Sequence, residues 1–261
     1  MNKVPIKIHP YKYSLVTRLK EPHILNLLDL SKQDKFLDLG CGLGYFIQLL
    51  RKENKKLLFG LDLCFESLLS AKNSTSMKFI NSDAVEIAIK DNSFDKILVS
   101  NLIEHVEDDE KLLNEISRIS KDGATVVIST DCSDAPLSGS RLNRLFHDKP
   151  GIPEYHMRQG YPTKTLLDMM KKYHIWSSEV KYTTVFIGEI CMEIIKLFYY
   201  FSKKDLNSQK DIEDINESLI FKIYRLFVFP VFFFISKIEE KLFSGLFKGH
   251  TIIVKGIVKK I

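Results

Sequence analysis

The sequence predicts an α/β domain: a doubly wound, mostly parallel sheet of seven strands with helices on both faces. Three observations carry this. Strand and helix patterns alternate five times between Phe36 and Thr130, with short connections. A glycine-rich turn follows the first apolar run and opens a helical pattern. Two more strand patterns come later, separated by an apolar insertion. The 261 residues, 45% hydrophobic and 27% charged, suffice for one large packed domain with an elaboration and argue against global disorder.

The elements follow in order. "EPHILNLLDL" places Ile24, Leu25, Leu27 and Leu28 on a helical stripe, with Pro22 near its start. Phe36 to Leu39 is a short apolar run ending at glycine, a buried strand, and Tyr45 to Lys52 a helix. Lys56 to Leu63 is a second strand, Phe65 to Lys72 a helix, and Met77 to Ile80 a third strand closed by "NSD". Phe94 to Ser100 is a fourth strand. Asp108 to Ser120 is an amphipathic helix with Leu112, Leu113, Ile116 and Ile119 on one face. The turn "KDG" leads to a fifth strand, Ala124 to Thr130. Beyond Asp131 the chain is rich in turn formers, so this stretch is expected to cover a ligand cleft at the carboxyl ends of the strands. Thr163 to Tyr173 reads as a helix, and His174 to Ile187 and Thr251 to Lys259 as the last strands.

The turn "LDLGCGLGYF" carries glycines at 40, 42 and 44, a G-x-G-x-G spacing. The dinucleotide fingerprint G-x-G-x-x-G needs its third glycine where Tyr45 stands. Asp38 precedes the first glycine, and Asp62 ends the second strand about 22 residues beyond Gly40, where an acid can accept from ribose hydroxyls. An acid inside the first turn repels a pyrophosphate and suits a ligand carrying an ammonium. S-adenosylmethionine has an ammonium, a sulfonium and no phosphate.

On these residues the sequence resembles the class I S-adenosylmethionine-dependent methyltransferases, of the type that modifies small molecules, quinones or glycan precursors. "DLGCGLG", "LDL", "NSDAVEI", "FDKILVSNLIEHV" and "LLNEISRISKDGATVVIST" match the family's segments in order. The resemblance is strong from Phe36 to Thr130 and loose over the rest. It implies a Rossmann-like fold and S-adenosyl-L-methionine as cofactor. It implies that Asp38 and the turn formed by Gly40, Cys41, Gly42 and Gly44 hold the methionyl end. Asp62 would bind the ribose, Leu63 pack on the adenine, and Asp83 with the backbone of Ala84 face the adenine amino group. Asn101 would lie beside the methionyl moiety, with Leu102 after it.

Three residues are candidates for acceptor chemistry. His105 and His156 can act as general bases near neutral pH. Arg158, in "HMRQGY", can grip a carboxylate or phosphate; the alternative is a structural clamp. Quinone-modifying relatives read E-x-x-E-H where Asn101 now replaces the first glutamate, and the remaining Glu104 and His105 are too few for a hard cation, so no metal is expected. The N-P-P-Y type motif of amino-group methyltransferases is absent, the place reading "SNLI", which favours oxygen or carbon acceptors. The competing readings are an NAD(P)-dependent oxidoreductase and a non-catalytic binding protein that keeps the fold.

The net charge of +5 is too small to imply nucleic acid as a partner. The four cysteines form no C-x-x-C pair and the N-terminus has no apolar leader, which together suggest a cytoplasmic protein. The methyltransferase domain is expected over 1–187 and 249–261, with an apolar helical insertion over 188–248. "EICMEIIKLFYYF" is amphipathic, and the uncharged core Leu226 to Ser236, kinked by Pro230, is too short to cross a bilayer. Lys222, Arg225, Lys237 and Lys241 flank that core, which suits a segment lying on the cytoplasmic membrane face with its aromatics buried. A lid or a homodimer interface would bury the same residues against protein. On the membrane reading the acceptor is lipid-linked or strongly apolar.

Overall fold

The structure, a computed structural model, describes residues 10–53, 57–74, 77–136, 157–191, 219–243 and 245–260. The strands are β1 (Phe36–Leu39), β2 (Leu58–Asp62), β3 (Lys78–Asn81), β4 (Phe94–Ser100), β5 (Ser120–Asp131), β6 (Ile175–Thr183) and β7 (Thr251–Val258). They form one seven-stranded sheet in the order β3-β2-β1-β4-β5-β7-β6. All pairs are parallel except those of β7, which runs antiparallel to both β5 and β6. The order reverses between β1 and β4, where Asp38 stands opposite Leu98. In a doubly wound sheet the crevice for a ligand opens at such a switch point.

The helices are α1 (Leu15–Leu28), α2 (Tyr45–Lys52), α3 (Phe65–Ser74), α4 (Asp109–Ile119) and α5 (Thr163–Lys172). Two apolar layers sandwich the sheet. On one face Ile24, Leu27 and Leu28 of α1 and Ile47 and Leu50 of α2 pack on Phe36, Leu98 and Val127. On the other, Leu112, Leu113, Ile116 and Ile119 of α4 and Leu166 and Met170 of α5 pack on Leu37, Ile97, Val126 and Ile128. All four residues of β1 are buried, as expected for a strand covered on both faces.

Two expectations are corrected. The first helix begins at Leu15, not near Pro22: Ser14 caps it, accepting from Thr17 N at 3.4 Å, and Pro22 lies inside it. The strand expected to reach Ile187 stops at Thr183. Thr184 adopts φ 57°, and a helix begins whose described part is 186–191. The reason is a distant carboxylate. Glu239 accepts from the backbone N–H groups of Phe186, Ile187 and Gly188 at 2.7, 2.6 and 3.1 Å, filling the orphan donors of that helix start.

Glu239 belongs to a long helix made of α6 (Leu219–Ile223), a π turn (Tyr224–Val228) and α7 (Phe229–Phe243). The π turn ends just before Phe229 and Pro230, so the register changes where a residue lacks its N–H. Phe232 and Phe233 pack beside Leu15, Leu19 and Cys191. The helix buries Phe221 and Phe229, but part of it is inverted in polarity. Ser236, Glu239 and Glu240 are buried, whereas Leu226, Phe227, Phe234 and Leu242 are 60, 69, 65 and 61% exposed. Among the described residues no helix is long and apolar enough to cross a membrane. The amphipathic stretch beyond Cys191, with Glu193, Ile194, Lys196, Leu197 and Phe201, lies outside the described residues.

Candidate active site

The glycine turn leaves β1 and enters α2. Gly40, Gly42 and Gly44 have φ of 76, 47 and 75°, the left-handed region that side chains resist. At Gly40 space is limiting as well, since a Cβ would sit 3.0 Å from Leu102 Cδ1. Gly40 N and Cys41 N donate to Leu61 O at 2.8 and 3.0 Å, and Gly44 N to Cys41 O at 2.8 Å. The Cys41 side chain is buried towards Gly60, where an added Cβ would meet its Sγ at 2.8 Å. Asp62, at the end of β2, clasps the turn: Oδ2 accepts from Gly42 N at 2.7 Å and Oδ1 from Cys64 N at 2.8 Å. A carboxylate offers about four lone-pair positions, so Asp62 keeps acceptor capacity. Leu63, next along, is 68% exposed. Its carbonyl and that of Asp62 accept from the Asn81 side-chain amide at 2.8 and 3.0 Å. Asp83 is exposed and accepts from Val85 N at 3.0 Å, while Ala84 beside it is buried.

Behind the turn lie buried charges. Asp38 is 2% exposed, and its Oδ2 has no hydrogen-bond partner among the described residues. Burial, and then Asp62, push its carboxyl up to about 7 against the pull of Lys20. Lys20, on α1, is also buried; burial draws its ammonium down to about 8, while Glu104, Asp131 and Asp38 work the other way. Its ammonium donates to Asn101 Oδ1. Asn101 stands just past β4 with φ 52°, and its N–H donates to Ser129 O at 2.8 Å. Glu104 is fully buried: Oε2 accepts from Thr130 Oγ1 at 2.9 Å, and Oε1 has no partner among the described residues. Burial raises its carboxyl, and Asp131 raises it further. His250 lies between Asp131 and Glu189 at 3.4 and 3.6 Å. Burial opposes its charge, but the two carboxylates outweigh burial and hold it up to about 10.

Of the residues assigned to acceptor chemistry, His105 and Arg158 are among the described residues. In the short 3₁₀ turn Ile103–His105, Glu104 faces in and His105 is exposed. The guanidinium of Arg158 is taken up by the chain around that turn. It donates to Val106 O at 2.6 Å and Glu107 O at 2.8 Å, and its Nε lies 3.3 Å from Asp109 Oδ2. Met157 N donates to Glu104 O at 3.0 Å, and Tyr161 OH to Asp109 Oδ2 at 2.8 Å. Gly160 has φ 77°, and a Cβ there would come within 2.6 Å of Asp131 O. The clamp alternative accounts for all of these contacts. His156 lies outside the described residues.

Residues 37–128 match the family model described as a methyltransferase domain. Within them lie the glycine turn, both aspartates of the cradle and the end of β4. By that match they carry a methyltransferase domain. The chain is 33% identical over 100 residues, 38% of each chain, to a malonyl-[acyl-carrier protein] O-methyltransferase of Hamiltonella defensa subsp. Acyrthosiphon pisum. It is 33% identical over 108 residues, 38% of this chain and 37% of the other, to a norajmaline N-methyltransferase of Rauvolfia serpentina. These matches thus span less than two-fifths of either relative. Its fold is similar to that of an S-adenosylmethionine-dependent methyltransferase from Archaeoglobus fulgidus, with TM-score 0.58, 19% identity and 94% of both chains covered. The cofactor of this family is S-adenosyl-L-methionine, and the chemistry of the donor set fits it. Asp38 offers a buried carboxylate oxygen to a cation, the turn has no side chains to obstruct a ligand, and no lysine or arginine stands within it to attract a pyrophosphate.

Sequence reasoning missed Lys20, Asp131, Glu189 and His250. Lys20 had a usable signal. With the helix started at Leu15, it falls four residues before Ile24 and seven before Leu27, on the buried stripe.

Proposed function

We propose that the chain transfers a methyl group from S-adenosyl-L-methionine to a small or lipid-linked acceptor at the switch point between β1 and β4. The observation that carries this reading is the unpartnered, buried Oδ2 of Asp38 beside a turn of three left-handed glycines. In this reading Asp38, Gly40, Cys41, Gly42 and Gly44 receive the methionyl end, and Asn101 and Leu102 flank it. Asp62 takes ribose hydroxyls on its remaining lone pairs, and Leu63, Asp83 and Ala84 border the adenine. The cofactor supplies the activated methyl group when bound; the protein's contribution is alignment and exclusion of water. In this reading His105 accepts a proton from an acceptor hydroxyl, and Arg158 acts as a clamp that fixes the wall carrying Glu104. Oxygen and carbon acceptors are favoured by the missing N-P-P-Y segment. The relatives include both O- and N-methyltransferases, so the assay covers both classes.

The inverted helix α6–α7 supports a second element of the proposal: a peripheral position on the cytoplasmic face of a membrane, with the insertion 188–248 as the contact. Its exposed face is apolar, its two acids are buried, and Lys222 and Lys241 are exposed. This arrangement suits an anionic lipid surface and favours a lipid-linked acceptor.

Calorimetric titration with S-adenosylhomocysteine and with NAD tests the cofactor reading. Binding of the former alone is expected, and binding of NAD alone overturns it. Release of S-adenosylhomocysteine from S-adenosylmethionine, with soluble and lipid extracts as acceptor sources, tests turnover. Product with neither extract favours the non-catalytic alternative.

A further inference from the structure

Trp176 is the chain's one tryptophan and the second residue of β6, which ends the sheet at its edge. It is 40% exposed. Two ammoniums lie over its ring: that of Lys171, on α5, 5.1 Å from the centroid, and that of Lys259, just past β7, at 5.6 Å. Lys259 N donates to His174 O at 3.0 Å, which holds the end of β7 against the start of β6. The ammonium of Lys260, next along, donates to Asn92 Oδ1 at 2.6 Å and Arg118 O at 3.1 Å, both neutral. Lys172 has Glu110 at 2.7 Å. No carboxylate of the described residues forms an ion pair with Lys171, Lys259 or Lys260.

Position and surroundings give this cluster a meaning. β7 runs antiparallel to both β5 and β6, so β6 points the same way as β5. Trp176, at its start, lies at the amino ends of the parallel strands, and the cleft opens at their carboxyl ends. Ser177 and Ser178, next on the edge, are exposed and polar, so the indole does not belong to an apolar patch of the kind that enters a lipid surface. A nucleic-acid strand asks for successive stacking aromatics, and this surface has one. Lysines without counter-ions attract anionic groups, and an exposed tryptophan supplies contact area of the type that anchors protein interfaces. A polypeptide segment carrying several carboxylates complements both.

We propose that Trp176, Lys171, Lys259 and Lys260 form a docking surface for an acidic segment of a protein partner. The segment's carboxylates pair with the ammoniums while its chain lies against the indole. All four residues fall outside the matched methyltransferase segment, 37–128. Because the surface is at the far end of the sheet from the cleft, a partner held there leaves the cleft open to cofactor and acceptor.

A single tryptophan at the surface makes the test direct, since its emission reports on this place alone. Decaglutamate is titrated into the full chain at low salt while tryptophan fluorescence is followed. A saturable shift is expected, lost in about 0.5 M salt as the charges are screened. Lys171→Glu combined with Lys259→Glu is expected to weaken the binding at least about tenfold. Lys32→Glu combined with Lys72→Glu, an equal change of net charge at exposed lysines elsewhere, is expected to leave it unchanged. No shift in the wild type overturns the proposal, and so does equal weakening by the two pairs, which would reduce the effect to net charge. Decathymidylate or phosphatidylglycerol vesicles that match or exceed decaglutamate overturn the choice of a protein partner. If the first pair fails to fold by circular dichroism, Lys171→Gln combined with Lys259→Gln decides in its place.

Discussion

Asp62 is the residue on which the cradle turns, because its carboxylate fixes Gly42 and Cys64 while keeping lone pairs for a ligand. Asp62→Ala is expected to weaken S-adenosylhomocysteine by about 1–3 kcal/mol, and unchanged affinity by calorimetry would remove Asp62 from the site. Asp38 gives a pH signature. Its carboxyl is pushed up to about 7, so below that pH the free protein holds it protonated. Pairing with an ammonium then requires losing that proton, so affinity is expected to rise with pH through about 7 and level off above it. Asp38→Asn should flatten that rise; a pH-independent affinity in the wild type would contradict the pairing. These residues were legible because they stand at fixed offsets from a strand end, where local sequence dictates geometry. Lys20 and Glu104 were not fully legible in the same way. Lys20 depends on where a helix begins, and Glu104 on which way a short 3₁₀ turn faces. The clamp role of Arg158 was foreseen as an alternative, but choosing it required carbonyl positions about fifty residues away in the chain.

Among the elements, the alternating strands and helices from Phe36 to Asp131 were read with small boundary errors, since each buries an apolar stripe of its own period. The errors came where a long-range contact overrode the local pattern. Glu239 ends a strand pattern by capping the helix at 186–191, and nothing local announces that. Glu239→Ala strands three donors at the helix start, one of them buried, so a loss of about 1–3 kcal/mol is expected, measured as a drop in chemical unfolding free energy; a change below about 0.5 kcal/mol would show that water replaces the carboxylate. The inverted α6–α7 helix is the other element whose face the sequence could not assign. Flotation with vesicles of phosphatidylcholine, with and without phosphatidylglycerol, is expected to recover the chain chiefly with the anionic vesicles. Replacing Leu226, Phe227 and Phe234 by serine should abolish recovery, because these side chains are exposed and support no core. Recovery unaffected by those changes would remove the surface contact, and conversion from dimer to monomer on making them would favour the dimer interface instead.

For the whole molecule, the sheet order and the antiparallel final strand place both ends of the insertion side by side. Thr183 and Thr251 stand directly opposite each other in the β6–β7 pair. To the sheet, residues 184–250 are therefore a single hairpin connection, however much structure they carry. The free energy of closing a loop grows only logarithmically, about 0.6 kcal/mol per doubling of its length. Replacing Glu189 to Phe247 by a short flexible linker is thus expected to leave a cooperatively unfolding domain that still binds S-adenosylhomocysteine. Loss of that binding would show that the insertion builds part of the cofactor site. The same adjacency has a consequence for the history of the chain. A connection whose two ends already meet can lengthen, shorten or be exchanged without re-registering any strand. The sheet and its cradle can then stay constant while the attached segment changes where the protein resides and what reaches its cleft.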